Sequence, residues 1–525
     1  WFLHFEGRIP ETFMYNFDWV ARRFLLPLTL WRGRIYSPNE KERTRYGEAA
    51  TYFQDIRLGT YLKLRHRDPR AARLERDCLA FAEWSGKVQP DRAYTANLLA
   101  GVQVEPGPDE ELQRWLSGNA LLWAHSGVPG FAINRTPWRF AMMGAENGVI
   151  DWAIIPRDGD WLFSAFGRLG QGAFSARRTW FFGGGFAGLG TKPDGSSHAL
   201  VALPDERTGV VLSRAAAGAA DAGAQVRVSL ELLSSELNGY RRRLLSSQGE
   251  RLLTREADAG AGTPAPLPGP WLNLDDRIGY VLLGPGGGQF AHGLHAQEAN
   301  GEFRIPLSWP HAAGAGECCT VVVCDQSAEA TAALAASGAC RRLDSGTAQV
   351  SAAWVRGQDG SDYLVAVNWT DDPSELRTPV GRGARLATVL GGRWQLDGAS
   401  LNGRLPARSV AVLQVAEPQA AAGLAPQVRL TDPALDTVFV DADACTLRAE
   451  ASGVGGVAQV RFHLRQSGIF APAHVIGSVD RPPYALTWRP GPEDRGRYAE
   501  LWAEAVGANG MTRESSHALV MVRAR

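Results

Sequence analysis

The sequence predicts a multidomain α+β chain: an N-terminal helical segment, then a large antiparallel β-sandwich and two smaller β-sandwiches in series. Three observations carry this. Apolar residues recur with a helical period before about residue 128 and in alternation or short runs after it. Gly-, Pro- and Ala-rich joints punctuate the later part, as turns between short strands require. Finally, 525 residues exceed what one hydrophobic core organises.

Residues 1–128 read as mostly helical. Tyr46–Arg67 brings Ala49, Phe53, Ile56, Tyr61 and Leu64 near one another on a 3.6-residue period. Asp68-Pro69 ends that helix and opens the next, because the residue before a proline avoids the α region. Ala71–Trp84 continues to a stop at Gly86, a third helix is expected over Ala93–Val104, and a fourth over Asp109–His125 with acidic residues in its first turn. Short connections imply antiparallel helix hairpins, either part of an α/α toroid or a helical insert beside a barrel.

Residues 129–345 turn over to β structure. Strands are expected at Gly148–Pro156, Arg177–Gly190, His198–Leu203, Gly209–Leu212, Gln225–Leu233, Ile278–Leu283, Glu302–Leu307 and Glu317–Cys324. So many strands with few helices favour a large antiparallel sandwich. Residues 346–416 form a small β module, 417–426 a linker rich in Pro and Ala, and 427–525 a last β module.

Composition excludes several function classes. Net charge is zero and pI near 7.3, so no global field draws the chain to nucleic acid. No run approaches ~20 apolar residues, so no membrane insertion is expected. The chain opens at Trp1 without the charged–apolar–small pattern of a leader, which reads as a fragment or processed form. Six cysteines are too few for a disulfide scaffold; Cys324 and Cys340 could pair, but buried thiols are the preferred expectation. Seventeen tryptophans suit either large cores or the stacking of sugar faces.

Resemblances sharpen this. Val457, Val460 and Phe462, then Pro483, Tyr484, Leu486 and Trp488, then Gly496, Tyr498, Leu501, Ala503 and Ala505, with Asn509-Gly510 as a hairpin turn, resemble a bacterial immunoglobulin-like domain over about 100 residues. The single Cys445 departs from the antibody-type cysteine pair. Residues 346–416 resemble the small C-terminal β-domain of glycoside hydrolases, with the strand Leu364–Asn368, a Gly391-Gly392 hairpin and the closing run Leu405–Leu413. Arg178–Phe182, Gly188–Gly190 and Trp271–Tyr280 look like the supersandwich of hyaluronate/chondroitin-type polysaccharide lyases, although no Asn…His…Tyr…Arg constellation stands out in the helical part. Together these resemblances imply the C-terminal part of a secreted or cell-surface bacterial carbohydrate-active enzyme, whose partner is a carbohydrate and whose immunoglobulin-like domain spaces or anchors it on a cell surface or polysaccharide.

The candidate chemistry follows from residue type. Glycosidases need two carboxylates about the scissile bond. Glu6 ends a strand-like run, with Asp18 or Asp55 as possible partners, and Glu146 and Asp151 stand where helix gives way to sheet. Around the latter, Trp138 and Trp152 offer stacking faces and Asn134 and Arg135 polar contacts. Arg57, near Tyr52 and Asp55, and Tyr94 form a second cluster suited to an acidic sugar. Each has a plainer alternative: ion pairing for Glu6, helix capping near Tyr94, core packing for the tryptophans. Asp275-Asp276 offers oxygen ligands for Ca²⁺ and serves equally as a turn; no other cofactor is expected. The expectation is therefore glycosidic-bond hydrolysis by Glu6, Glu146 and Asp151. The alternatives are a lyase acting on a uronic-acid polymer by β-elimination, or a non-catalytic glycan-binding or spacer protein.

Overall fold

Residues Glu317–Cys324 carry no charge after the first position, so a strand built from them must bury both faces. In the computed structural model it is the middle strand of a nine-stranded sheet, with Cys319, Val321 and Val323 on one face and Cys318, Thr320, Val322 and Cys324 on the other. The structure describes Asp18 and residues 52–85, 103–116, 120–125, 128–134, 138–143, 152–156, 165–169, 174, 176–215, 227–235, 241–254, 265–283, 289–292, 302–310, 317–345 and 349–524 except 436 and 467–469.

Three helices lie at the N-terminal end of the described chain: α1 (Tyr52–His66), α2 (Pro69–Ser85) and α3 (Asp109–Leu116). The α1–α2 turn forms at the Asp68-Pro69 break, with the Asp68 carboxylate accepting from the Arg70 backbone at 2.8 Å. Gly59 sits where the two helices meet, since a Cβ there would lie 2.9 Å from Glu75 backbone atoms. The expected helix Asp109–His125 ends at Leu116; Ala120–His125 instead pairs in register with Val128–Asn134. Its run Ala-Leu-Leu-Trp-Ala supports a strand as well as a helix, and tertiary pairing decides. The helix expected over Ala93–Val104 falls largely outside the described residues.

The strands stack as layers. Sheet I runs in the order 120–125, 128–134, 138–143, 152–156, 165–169, 227–235, 302–310, 289–292, 265–268. Sheet II runs 249–254, 241–246, 271–274, 278–283, 317–324, 208–214, 197–202, 185–191, 176–182. The two meet where Trp152 of sheet I lies 6.4 Å from Tyr280 of sheet II. Sheet III (341–343, 350–356, 362–368, 409–416, 385–390) and sheet IV (374–379, 400–405, 393–397) belong to the next module. Sheet III is buried on both faces. Tyr363, Val365, Val367, Val410 and Val412 join Val201, Val210, Val321 and Val323 of sheet II in one apolar cluster. Leu364, Ala366, Ala411 and Leu413 face Leu376, Leu401 and Leu405 of sheet IV. Gly391 and Gly392, at φ 65° and 77°, do not close a hairpin: the strand before them pairs with 409–416 and the strand after them with 400–405, so they turn a corner between sheets III and IV.

The last module is a two-sheet sandwich of 427–432, 445–452 and 484–488 (sheet V) against 439–440, 518–522, 498–507, 457–466 and 474–479, with 512–514 at its side (sheet VI). Val460, Phe462, Leu464, Leu501 and Ala503 point inward to Leu447, Tyr484 and Trp488. Gly510, at φ 81°, makes the expected turn after strand 498–507.

This sandwich is joined to its neighbours by specific bonds. Gly183 N donates to Val428 O at 2.7 Å, and Arg513 donates to Pro204 O at 2.8 Å and Pro426 O at 3.1 Å. Gln427 donates to Gln414 at 2.9 Å across the segment expected to be a linker. Between sheets II and III, Asp205 accepts from Gln358 N at 2.7 Å, and burial raises its pKa.

Asp275 and Asp276 form a turn with both residues left-handed, at φ 58° each. Asp275 accepts from the buried Arg242 and from Arg243 N, and Asp276 accepts from Ala328 N at the start of helix α4 (Ala328–Ala336). These carboxylates are engaged by the protein, and among the described residues no His/Cys/Asp/Glu group is arranged to hold a metal. Cys318, Cys319, Cys324, Cys340 and Cys445 are free and buried; burial pushes the Cys318 thiol up to about 12. No described helix is long and apolar enough to cross a membrane.

Arg513→Ala should loosen the joint between the last sandwich and sheet II, removing charge-assisted hydrogen bonds of about 1.5–3 kcal/mol each. Calorimetry should then resolve a lower-temperature transition of that sandwich; a single unshifted transition would show that the joint contributes nothing.

Candidate functional site

The structure gives only part of the residues expected to act. Glu6, Glu146, Asp151, Arg135 and Tyr94 lie outside the described residues. Asn134 ends one sheet I strand with Arg139 as its partner, Trp138 begins the next opposite Pro156, and Arg57 lies on α1. Trp152 is 1% exposed against Tyr280 between sheets I and II. It fills a core and presents no face for a sugar.

A polar cluster that the sequence reading did not assemble lies at the end of α1. Its centre is the carboxylate of Asp18, which is 0% exposed. Tyr61 Oη donates to Asp18 Oδ1 at 2.7 Å, Arg65 Nε donates to Oδ2 at 2.7 Å, and His66 Nε2 lies 3.2 Å from Oδ1. A carboxylate removed from water is tolerable only when charge and hydrogen bonds replace its hydration, and this one has both. Tyr61 and Arg65 are four residues apart and so share a helix face; His66 follows at the helix end. One turn earlier and across the hairpin, Thr60 and Lys63 both donate to Glu75 of α2, at 2.6 and 2.5 Å.

His66 lies at the edge of this cluster, its side chain 16% exposed. In the tautomer that donates Nε2–H to Asp18, Nδ1 is the ring's acceptor nitrogen. Around it stand Arg70, Trp115 of α3 and Phe470 of the last sandwich. Phe470 is stacked on Trp115 at 4.7 Å, edge-on to His66 at 5.4 Å, and lies under the Arg70 guanidinium at 4.8 Å. Arg70 is itself oriented by two bonds to Asp68, at 2.9 and 2.8 Å. The arrangement places an imidazole, a guanidinium and two aromatic rings at the junction of the helices with the last module. The signal was present as Tyr61-Leu-Lys-Leu-Arg65-His66, but Asp18 comes from 43 residues before Tyr61, and no local pattern links them.

A second imidazole has a different fate. His198 is fully buried; Ser213 lies 2.9 Å from its Nδ1 and Ser196 2.8 Å from its Nε2. Ser196 donates its own proton to Asp194 at 2.5 Å, so it accepts from the imidazole and is not activated by it.

A third constellation holds up Phe470. On the outer face of sheet VI, Arg461, His463 and Arg465 lie opposite Glu504, Trp502 and Glu500. His463 and His517 both stack on Trp502, at 5.1 and 4.3 Å with nearly parallel planes. Glu500 takes Arg465 NH1 on one oxygen and His517 Nδ1 on the other, each at 2.6 Å. Burial alone would lower the His517 pKa, but hydrogen bonds and charge from Glu500 and Glu514 outweigh it and raise it above 6.5. The bond with His517 holds Glu514 below its usual range.

Residues 426–511 match the family model of the bacterial Ig domain. No curated protein sequence matches the chain. Among solved structures, a Paenibacillus xanthan lyase aligns at 10% identity over 98% of this chain and 62% of its own, with a TM-score of 0.43. A Streptomyces coelicolor chondroitin AC lyase aligns at 14% identity over 61% of this chain and 52% of its own, TM-score 0.25. A Clostridium thermocellum glycoside hydrolase of family 81 aligns at 10% identity over 55% of this chain and 34% of its own, TM-score 0.21.

A histidine with a raised folded-state pKa stabilises the fold fully below its unfolded value near 6.5 and loses that contribution as pH rises through the folded one. Glu514, lowered, contributes above its unfolded value and loses this as pH falls. Denaturation of the full chain should therefore show stability falling as pH rises above 6.5, and His517→Gln should flatten that slope; an unchanged slope would contradict the assignment.

Proposed function

We propose that the protein is an extracellular carbohydrate-active enzyme acting on a uronic-acid polysaccharide by β-elimination. The observation that carries this is the Asp18–His66 pair, with Arg70 and Trp115 beside it. In this reading Arg70 pairs with the uronate carboxylate and so acidifies the neighbouring C5 proton. His66 Nδ1 removes that proton, the C4–O bond breaks as the C4=C5 double bond forms, and the leaving oxygen takes the proton back from the imidazolium. Tyr61 and Arg65 hold Asp18, which keeps His66 in the required tautomer. The bacterial Ig domain at 426–511 supports an extracellular setting.

The test is product analysis on a panel of neutral and uronic-acid polysaccharides, with His66→Ala and Arg70→Ala alongside. The expected result is unsaturated uronate together with new reducing ends, and a fall in turnover of about 10²–10⁴-fold for His66→Ala. Reducing ends without unsaturation would overturn elimination. It would instead favour hydrolysis by Glu6, Glu146 and Asp151, with Trp138, Asn134, Arg135, Tyr94 and Arg57 as substrate contacts.

A further inference from the structure

We infer that the immunoglobulin-like domain is a working part of this site, with Phe470 as a positioning residue for His66. This rests on the reading of His66 as the base. An appended sandwich acting as a spacer would keep its loops clear of the chemistry. Here Phe470 instead occupies the angle between the His66 edge at 5.4 Å, the Trp115 face at 4.7 Å and the Arg70 guanidinium at 4.8 Å. Those three groups come from the ends of three helices, and Phe470 touches all of them.

The residues that flank Phe470 are bonded within their own domain. Arg465 Nε donates to Ala471 O at 3.0 Å, the residue next to Phe470. Arg465 is in turn held by Glu500 at 2.6 Å and lies over the Trp502 ring at 5.5 Å. The neighbouring Gln466 donates to Asp494. Glu500 is 1% exposed and also bonds His517, so the anchor sits on a buried, charge-balanced ladder and not on a solvated pair. An imidazole bonded through one nitrogen to Asp18 still has freedom about that bond, and the Phe470 ring packed at 74° to it removes that freedom. Phe470 thereby sets the direction in which Nδ1 points and keeps Arg70 alongside.

The experiment uses the full chain with ¹⁵N-labelled histidine, His66 being assigned by loss of its signal in His66→Gln. The His66 titration midpoint and the steady-state constants on a polyuronide are compared for wild type, Phe470→Ala, Phe470→Trp and Arg465→Gln. Phe470→Ala should move the midpoint and lower kcat about tenfold with KM little changed, as loss of orientation and not of binding requires. Phe470→Trp should restore both, and Arg465→Gln should reproduce part of the effect from a distance. A folded Phe470→Ala or Arg465→Gln chain whose His66 midpoint is that of wild type overturns the inference. If the midpoint moves but no variant, wild type included, forms unsaturated uronate, the coupling stands and the elimination reading falls.

Discussion

An apolar layer shared by two sheets is the constraint on which the rest of this molecule depends. Val321 and Val323 of sheet II and Val365 and Val367 of sheet III lie in one cluster, and each of those strands is also buried on its far side. A sheet apolar on both faces has to be covered twice, and at about 1.5–3 kcal/mol for each Val or Leu withdrawn from water, the cover cannot be loose. Sheets II, III and IV therefore stack as one body. Sheet III in turn carries Gln414 to meet Gln427, and sheet II carries Gly183 and Pro204 to meet Val428 and Arg513. The immunoglobulin-like domain is held against this body at several points.

The candidate site depends on a second constraint, the buried carboxylate of Asp18. Three donors on the last turns of α1 converge on it, so the geometry of Tyr61, Arg65 and His66 follows from neutralising one charge. The same principle recurs at Glu500, where Arg465 and His517 meet a carboxylate of equal burial. In both places a buried acid organises cationic neighbours; at Asp18 one of those neighbours is an imidazole at the helix end.

Much of the β architecture was legible in the sequence, for a physical reason. Ile278–Leu283 and Glu317–Cys324 were placed at their observed bounds because uninterrupted apolar runs flanked by Asp276-Arg277, Gly284 and Asp325 permit little else. Asp68-Pro69 likewise marked the helix turn through proline's local sterics. What failed was anything that depended on a distant partner. Ala120–His125 has a helical composition and became a strand because Val128–Asn134 pairs with it. Gly391-Gly392 read as a hairpin and proved a corner, since which strands pair lies outside any local window. Trp152 carried the chemistry of a stacking platform and was placed in a core. The Asp18 cluster was invisible for the same reason, its members being joined only by the fold.

The most direct measurement of the account is a crystal structure of the full chain with a uronic-acid oligosaccharide bound. The sugar should lie beside His66 and Arg70, with its carboxylate on Arg70 and its C5 facing His66 Nδ1. An oligosaccharide bound instead beside Glu6, Glu146 and Asp151, with the Asp18 cluster closed to it, would contradict the account and return that cluster to a purely structural role.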